Sequence, residues 1–384
     1  MAHHTAARWM RPGLPMILGM VISLAAGCPA EPEPDPDPPE PTFHPPDAPG
    51  PFEAGTAEDE FDNRDGLTLP VQVWYPASES SGEPYKYGDL LPGGVLDHTT
   101  PDCSEPRPVI VFTHGNSGIR YQTFSAMEFF ATHGWVVVAP DHVHNTFIDH
   151  DQDLWAWLTM RRPYDVSDTF DWLVAESGDA DSHLHGCVDP DAGFAVMGHS
   201  FGGFTSFAVA GAPLDLTVLG AWCAGSDDAG CDYVDQWIED HPGEDVHDRS
   251  DPRVWAGVPW EPAWHEVFGD GLADIEVPML VIGGERDTHT PWESAVVPTY
   301  EGLDVVPRYL ARLENAGHYS LTDMCSILGA FNGCEDDMRP YDEVLETTRT
   351  LSLAFLMTVL GEEQARDHMP PEVGINHWEF VEEE

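Results

Sequence analysis

Residues 194–203, Phe-Ala-Val-Met-Gly-His-Ser-Phe-Gly-Gly, constrain this chain more than any other segment. The apolar run Phe194–Met197 has strand character. It passes through Gly198-His199-Ser200-Phe201-Gly202 into a helix-like stretch, Phe204 to Ala212. A serine at such a junction sits on a sharp strand-to-helix turn, where its hydroxyl is presented as a nucleophile. The flanking glycines follow from sterics: the turn brings neighbouring backbones against it, and a Cβ would clash. Chance produces Gly-x-Ser-x-Gly readily, so a nucleophile here requires a base, an acid and an oxyanion hole elsewhere in the chain.

From residue 61 onward, short β-rich runs alternate with helix-length segments, which predicts a mostly parallel central sheet with helices on both faces. The predicted strands are Leu69–Tyr75, Val109–Thr113, Trp135–Ala139, Phe194–Met197, Thr217–Trp222, Met279–Gly283 and Arg308–Leu313. The predicted helices are Tyr121–His133, Tyr164–Glu176, Phe201–Ala212 and Asp342–Leu360. Residues 223–275, rich in Gly, Pro, Asp and Trp, are too long for a simple connection and read as an insertion forming a lid. Trp222 is then a candidate for the substrate pocket. Trp255, Trp260 and Trp264 either line an acyl subsite or pack the lid onto the body.

An acid and a base follow the serine in order. The strand-like run Met279–Gly283 opens into Glu285-Arg286-Asp287, which puts Asp287 in a loop beyond a strand's carboxyl end, with Glu285 as the substitute acid. Arg308–Leu313 opens into Asn315-Ala316-Gly317-His318, which makes His318 the general base, with His289 its rival. The Ser-Asp-His order is that of α/β-hydrolases. For the oxyanion hole, one backbone N–H comes from Phe201. The other is assigned to Asn116, in the His114-Gly115-Asn116 loop that follows Val109–Thr113.

The stretch Asp65-Gly66-Leu67-Thr68-Leu69-Pro70-Val71-Gln72-Val73-Trp74-Tyr75-Pro76, His114-Gly115, the run Gly134 to His142, the Gly198–Gly203 elbow and Ala316-Gly317-His318 together resemble a known group. They look like the serine hydrolases related to platelet-activating-factor acetylhydrolase and the predicted dienelactone hydrolases, over about residues 61–360. Cutinase-like polyester hydrolases are neighbours. The resemblance implies an α/β-hydrolase fold, a serine carboxylic-ester hydrolase acting through an acyl-enzyme on Ser200, no metal and no cofactor. Polyester or phospholipid-acetyl hydrolysis are the alternative activities, and a catalytically silent surface binding module is the non-enzymatic one. A strict dienelactone hydrolase carries a cysteine nucleophile, and Ser200 argues against that activity. The cluster Asp141-His142-Val143-His144 with Asp149 to Asp153 reads as pocket rim rather than metal site.

Charge and cysteine add the context. Sixteen Lys+Arg against 68 Asp+Glu leave a net charge of −52, a surface that repels nucleic acid and anionic lipid. It reads as a hydrated surface adapted to high salt, with a set of calcium sites as the alternative, although the sequence carries no Asp-x-Asp-x-Asp-Gly loop with a closing Glu. Arg8 and Arg11 precede an apolar run, Gly13 to Ala26, too short to span a bilayer, and then Gly27-Cys28. Residues 1–28 therefore read as an export signal with a lipobox-like end. Cys28 is the lipidation candidate, which predicts a cell-envelope lipoprotein, or a secreted protein if the signal is simply cleaved. Residues 29–60, acidic and proline-rich, read as an extended tether, and 61–384 as one catalytic domain. Six further cysteines suit an exported, disulfide-bonded chain. Local spacing pairs Cys223 with Cys231 and Cys325 with Cys334, leaving Cys103 for Cys187. A monomer acting on a small or polymeric ester is expected.

Overall fold

The computed structural model describes residues 43–382 other than 81, 89, 90, 328, 371 and 372. The signal segment and Cys28 lie outside them. The chain runs β1 (Glu53–Asp62), β2 (Thr68–Ala77), β3 (Pro84–Tyr87), β4 (Leu91–Asp97), β5 (Val109–Thr113), α1 (Phe124–Thr132), β6 (Val136–Pro140), α2 (Trp155–Gly178), β7 (Phe194–His199) and α3 (Phe201–Ala210). It continues β8 (Leu214–Asp215), α4 (Leu216–Cys223), α5 (Cys231–Asp240), β9 (Val246–His247), β10 (Val254–Trp260), β11 (Met279–Gly284), α6 (Val297–Glu301), β12 (Arg308–Leu313), α7 (Tyr341–Val359) and β13 (Ile375–Val381).

Eleven of these strands form one sheet in the order β13-β12-β11-β10-β7-β5-β6-β2-β1-β4-β3. The six from β6 to β12 in that row are mutually parallel. This is the predicted α/β architecture. Its central strands are buried on both faces, and alternate residues divide between two cores. Val109, Val111, Phe194 and Val196 face α2 and α3, with Phe170 and Phe207. Ile110, Phe112, Ala195 and Met197 face α1 and α7, with Phe130 and Phe355. Because every parallel strand ends at the same edge, the loops after β5, β7, β10, β11 and β12 converge there.

Three expectations are corrected. The tether does not extend to residue 60: β1 pairs antiparallel with β2 along its whole length, from Glu53 opposite Ala77 to Asp62 opposite Thr68. Residues 54–57 are buried, whereas the acids at 58–60 that suggested a tether point outward. Thr217–Trp222 is helical rather than extended. Asp215 caps α4 by accepting from the N–H groups of Thr217 and Val218, and Leu216, Leu219 and Cys223 are buried at helical spacing. Residues 223–275 are not a single insertion, because β10 within them is a central strand between β7 and β11.

All three expected disulfides are formed, with Cα–Cα separations of 4.4 Å for Cys103–Cys187, 5.4 Å for Cys223–Cys231 and 5.1 Å for Cys325–Cys334. Among the described residues no helix is long and apolar enough to cross a membrane. Many of the arginines are spent on neighbouring acids, such as Arg253 on Asp251 at 2.7 Å and Arg120 on Asp141 at 2.6 Å. The remaining acids repel one another through water. The melting temperature is therefore expected to rise by about 5 °C or more between dilute buffer and molar NaCl as that repulsion is screened. Thermal melts followed by circular dichroism check this, and a flat or falling trend rejects it.

Candidate active site

Ser200 occupies the turn between β7 and α3 with φ 57° and ψ −115°, a conformation that L residues rarely adopt and that costs about 1–3 kcal/mol. The structure shows why the glycines are needed. A Cβ on Gly198 would lie 2.3 Å from the Gly202 carbonyl oxygen, and one on Gly202 would lie 1.9 Å from that of Thr113. Gly203 lets α3 approach β10's exit, where a Cβ would come 2.9 Å from Pro262 Cα. The turn is held by the Ser200 N–H donating to the Trp260 carbonyl at 2.8 Å.

Asp287 and His318 come from the loops after β11 and β12, and His318 lines the same cavity as Ser200. His318 Nδ1 donates to Asp287 Oδ2 at 2.7 Å, and both side chains are buried. Asp287 also accepts from the N–H groups of His289 (2.6 Å) and Thr290 (2.9 Å) and from Thr290 Oγ1 (2.5 Å). Burial alone would raise its pKa. The hydrogen bond and charge of His318, with the bonds from Thr290, outweigh burial and hold the carboxyl at about 2. It is therefore ionised throughout the physiological range. Glu285 accepts instead from the Asn315 N–H at 2.9 Å and is exposed. His289 stacks on His318 with ring centroids 4.8 Å apart.

Ser200, His318 and the Asn116 loop line one cavity of about 700 Å³. Its walls are mostly apolar: Tyr87, Leu91, Ile119, Phe124, Met324 and Phe331 among them. Phe147 and Ile327, both substantially exposed, sit at its rim. Two expectations about this pocket change. Trp222 does not line it; its ring packs edge-on against Trp264 instead. Nor do residues 223–275 cover it, since Ala263 is their sole contribution to its described lining. The walls come instead from the β3–β4 hairpin, the loop before α1, Tyr319, Asp323 and Met324, and Ile327 and Phe331 inside the Cys325–Cys334 loop.

Asn116 is exposed at the cavity, and its side-chain Oδ1 accepts from Asn145 Nδ2 at 2.7 Å. The Asp141–Asp153 cluster is committed to structure. Asp141 pairs with Arg120, His142 donates to Asp165 at 3.0 Å, and Asp149 accepts from the N–H groups of His144 and Thr146.

Sequence reasoning missed the groups behind the imidazole. Glu261, fully buried just past β10, places Oε2 3.4 Å from His318 Nδ1 and 3.2 Å from His199 Nε2. Burial, together with the charge of Asp287, drives its pKa well up, so it is a neutral acid beside an ionised one. His199 is neutral too, its pKa lowered to about 3 by burial and by His318. Gln122 Nε2 donates to its Nδ1 at 3.2 Å, which leaves Nε2–H to donate to the His318 carbonyl at 2.9 Å. An apolar run ending in Trp260-Glu261-Pro262 was the available signal for Glu261.

A family model described as Chlorophyllase matches residues 91–221. That segment carries β5, the Asn116 loop and the Ser200 turn, and ends before Asp287 and His318. The chain is similar to chlorophyllases over this stretch. Chlorophyllase-1 of Arabidopsis thaliana is 24% identical over 212 residues, which cover 54% of this chain and 55% of that protein. The chain thus spans about half the length of the curated relative it matches.

Proposed function

We propose that this protein is a serine carboxylic-ester hydrolase whose substrates carry a large apolar group. The observation that supports it is the meeting of Ser200, a His318 already donating to ionised Asp287, and one apolar cavity. In this reading Asp287 holds the imidazole with its proton on Nδ1, leaving Nε2 to take the Ser200 proton as Oγ bonds to the ester carbon. The carbonyl electrons move to oxygen, where the N–H groups of Phe201 and Asn116 receive the charge. Collapse expels the alcohol with the proton returned from His318. Water, deprotonated by the same nitrogen, then releases the acid.

The size of the cavity and its exposed Phe147 and Ile327 rim favour bulky substrates, and the name of the plant relative points the same way. Phospholipid and polyester cleavage, raised by the motif resemblance, belong to the same class. Acylation at Cys28 would hold such an enzyme at an envelope surface; radiolabelled palmitate incorporation, lost in Cys28→Ser, tests that placement.

The deciding experiment is a panel of p-nitrophenyl esters from acetyl to dodecanoyl, extended to chlorophyll, a phospholipid and a polyester film. Since each buried methylene is worth about 0.8 kcal/mol, kcat/KM is expected to climb by about 10-fold or more from acetyl to octanoyl. A flat or falling series rejects the apolar-substrate reading. No turnover, together with no fluorophosphonate labelling, rejects the esterase reading itself.

A further inference from the structure

Beneath the Asn116 loop lies a fully buried arginine that, among the described residues, has no carboxylate within ion-pair distance. Arg162, on α2, shows no exposure, and among the described residues it forms no ion pair. Its neighbour Arg161 by contrast pairs with Asp65 and Asp165, each at 3.0 Å. The hydrogen bonds of Arg162 all go to neutral oxygens. Nη1 donates to Asn145 Oδ1 at 2.8 Å, and Nη2 donates to Thr113 Oγ1 at 2.9 Å and to the His114 carbonyl. Nε has no partner. The guanidinium lies over the Phe201 ring, 4.5 Å from its centroid.

The nearest acid in sequence, Asp165, is already held by Arg161, His142 and Asn63. An unpaired buried cation is among the most costly groups a fold can carry, and a chain with 68 acids had ample means to pair it. Burial pulls the Arg162 pKa down to about 9, with Asp165 opposing it, so the side chain is charged at neutral pH. Its contacts sit on both halves of the oxyanion hole. It bonds His114, two residues before Asn116, and it bonds Asn145, which in turn donates to the Asn116 side chain. It also underlies Phe201, which supplies the second N–H.

Building on the esterase reading, we propose that Arg162 is the positioning residue of the oxyanion hole: it fixes the 113–116 turn, and its unpaired charge stabilises the alkoxide formed between Asn116 and Phe201. The ester is neutral in the ground state and the oxygen is anionic after serine attack, so this field favours the intermediate over the substrate.

The test measures kcat and KM on p-nitrophenyl butyrate. It adds inhibition by a trifluoromethyl ketone, which Ser200 converts to an anionic hemiketal, and by the corresponding amide, which stays neutral. Arg162→Gln is expected to lower kcat on the order of 10²-fold or more with KM within about 3-fold, and to weaken the ketone in parallel but not the amide. Arg162→Lys, which keeps the charge, should recover most of that loss. Asn145→Asp places a carboxylate against the guanidinium but also removes the Nδ2 donor to Asn116 Oδ1, so it is measured against Asn116→Ala, which lacks that bond and keeps its backbone N–H. In the Asn116→Ala background it should lower kcat while leaving the melting temperature equal or higher. It therefore tests the charge even where Arg162→Gln fails to fold.

A purely structural arginine gives the opposite pattern: Asn145→Asp in the Asn116→Ala background keeps kcat within about 3-fold of Asn116→Ala alone, or ketone and amide weaken equally. Either outcome overturns the proposal. If the wild-type protein neither turns over esters nor takes up fluorophosphonate, the esterase reading falls and this one with it; with an active wild type, the variants bear on Arg162 alone.

Discussion

Ser200→Ala is expected to lose ester turnover by a factor on the order of 10⁴–10⁶ and to lose fluorophosphonate labelling entirely, while the fold is kept. The Ser200 hydroxyl sits on a strained turn and lines the same cavity as His318, whose Nδ1 is held by the ionised Asp287. Alanine keeps the turn's strain and removes only the oxygen. Ser200→Gly should go further and raise the melting temperature, because glycine reaches φ 57° without a Cβ penalty. Stopped-time ester assays, intact-mass labelling and calorimetric melts read these outcomes. Residual labelling of Ser200→Ala would move the nucleophile elsewhere, and a glycine variant no more stable than wild type would mean that the strain is no larger than the roughly 0.5–1 kcal/mol of backbone entropy that glycine adds to the unfolded chain.

The parallel core was legible because buried parallel strands are written as continuous apolar runs, and Val109–Thr113 and Arg308–Leu313 were placed to the residue. Strand β10 was hidden by its composition. Gly257, Pro259 and two tryptophans read as loop, although Gly257 and Pro259 lie opposite Val196 and Gly198 of β7 inside the sheet. Helix α4 was misread because Thr217 and Val218 favour strands in isolation, and the Asp215 cap decides the matter locally. The triad candidates were legible for a simple reason: each follows its own strand, so order and local context identify them one at a time.

Arg162 and Glu261 could not be found that way. In Met160-Arg161-Arg162-Pro163 the two arginines look equivalent, and only the packing of α2 against β5 and α3 buries one of them without a partner. Glu261 acquires meaning from His199, from Gly284 and Asp287 at the end of β11 and just after it, and from His318, three separate segments of chain. Pocket assignment failed for the same reason. The described walls include Tyr87, Gly88, Leu91, Ile119, Phe124, Tyr319, Met324, Ile327 and Phe331, far from the serine in sequence, and not the tryptophan-rich stretch that composition favoured.

Two carboxyls within reach of one imidazole allow a sharp division of labour to be tested. Asp287→Asn is expected to lower kcat by about 10⁴-fold, because the amide can donate to Nδ1 and so select the wrong tautomer. Glu261→Gln is expected to cost less than about 10-fold, because an amide replaces a carboxyl that is already neutral and can still accept from His199. The stability changes run in opposite directions. The folded-state pKa of Asp287 lies below its usual value, so it stabilises the fold above about pH 3.8, and that contribution is lost as pH falls through about 2. The folded-state pKa of Glu261 is raised. The native state then binds a proton that the unfolded chain has released, and stability declines as pH climbs from about 4.5 toward the raised value. Removing that titration, Glu261→Gln should melt higher than wild type at pH 8 and nearly level with it at pH 4. Parallel kinetics and pH-dependent melts of the two variants decide the assignment: a crippled Glu261→Gln beside a mildly affected Asp287→Asn would transfer the acid's role from the loop after β11 to the end of β10.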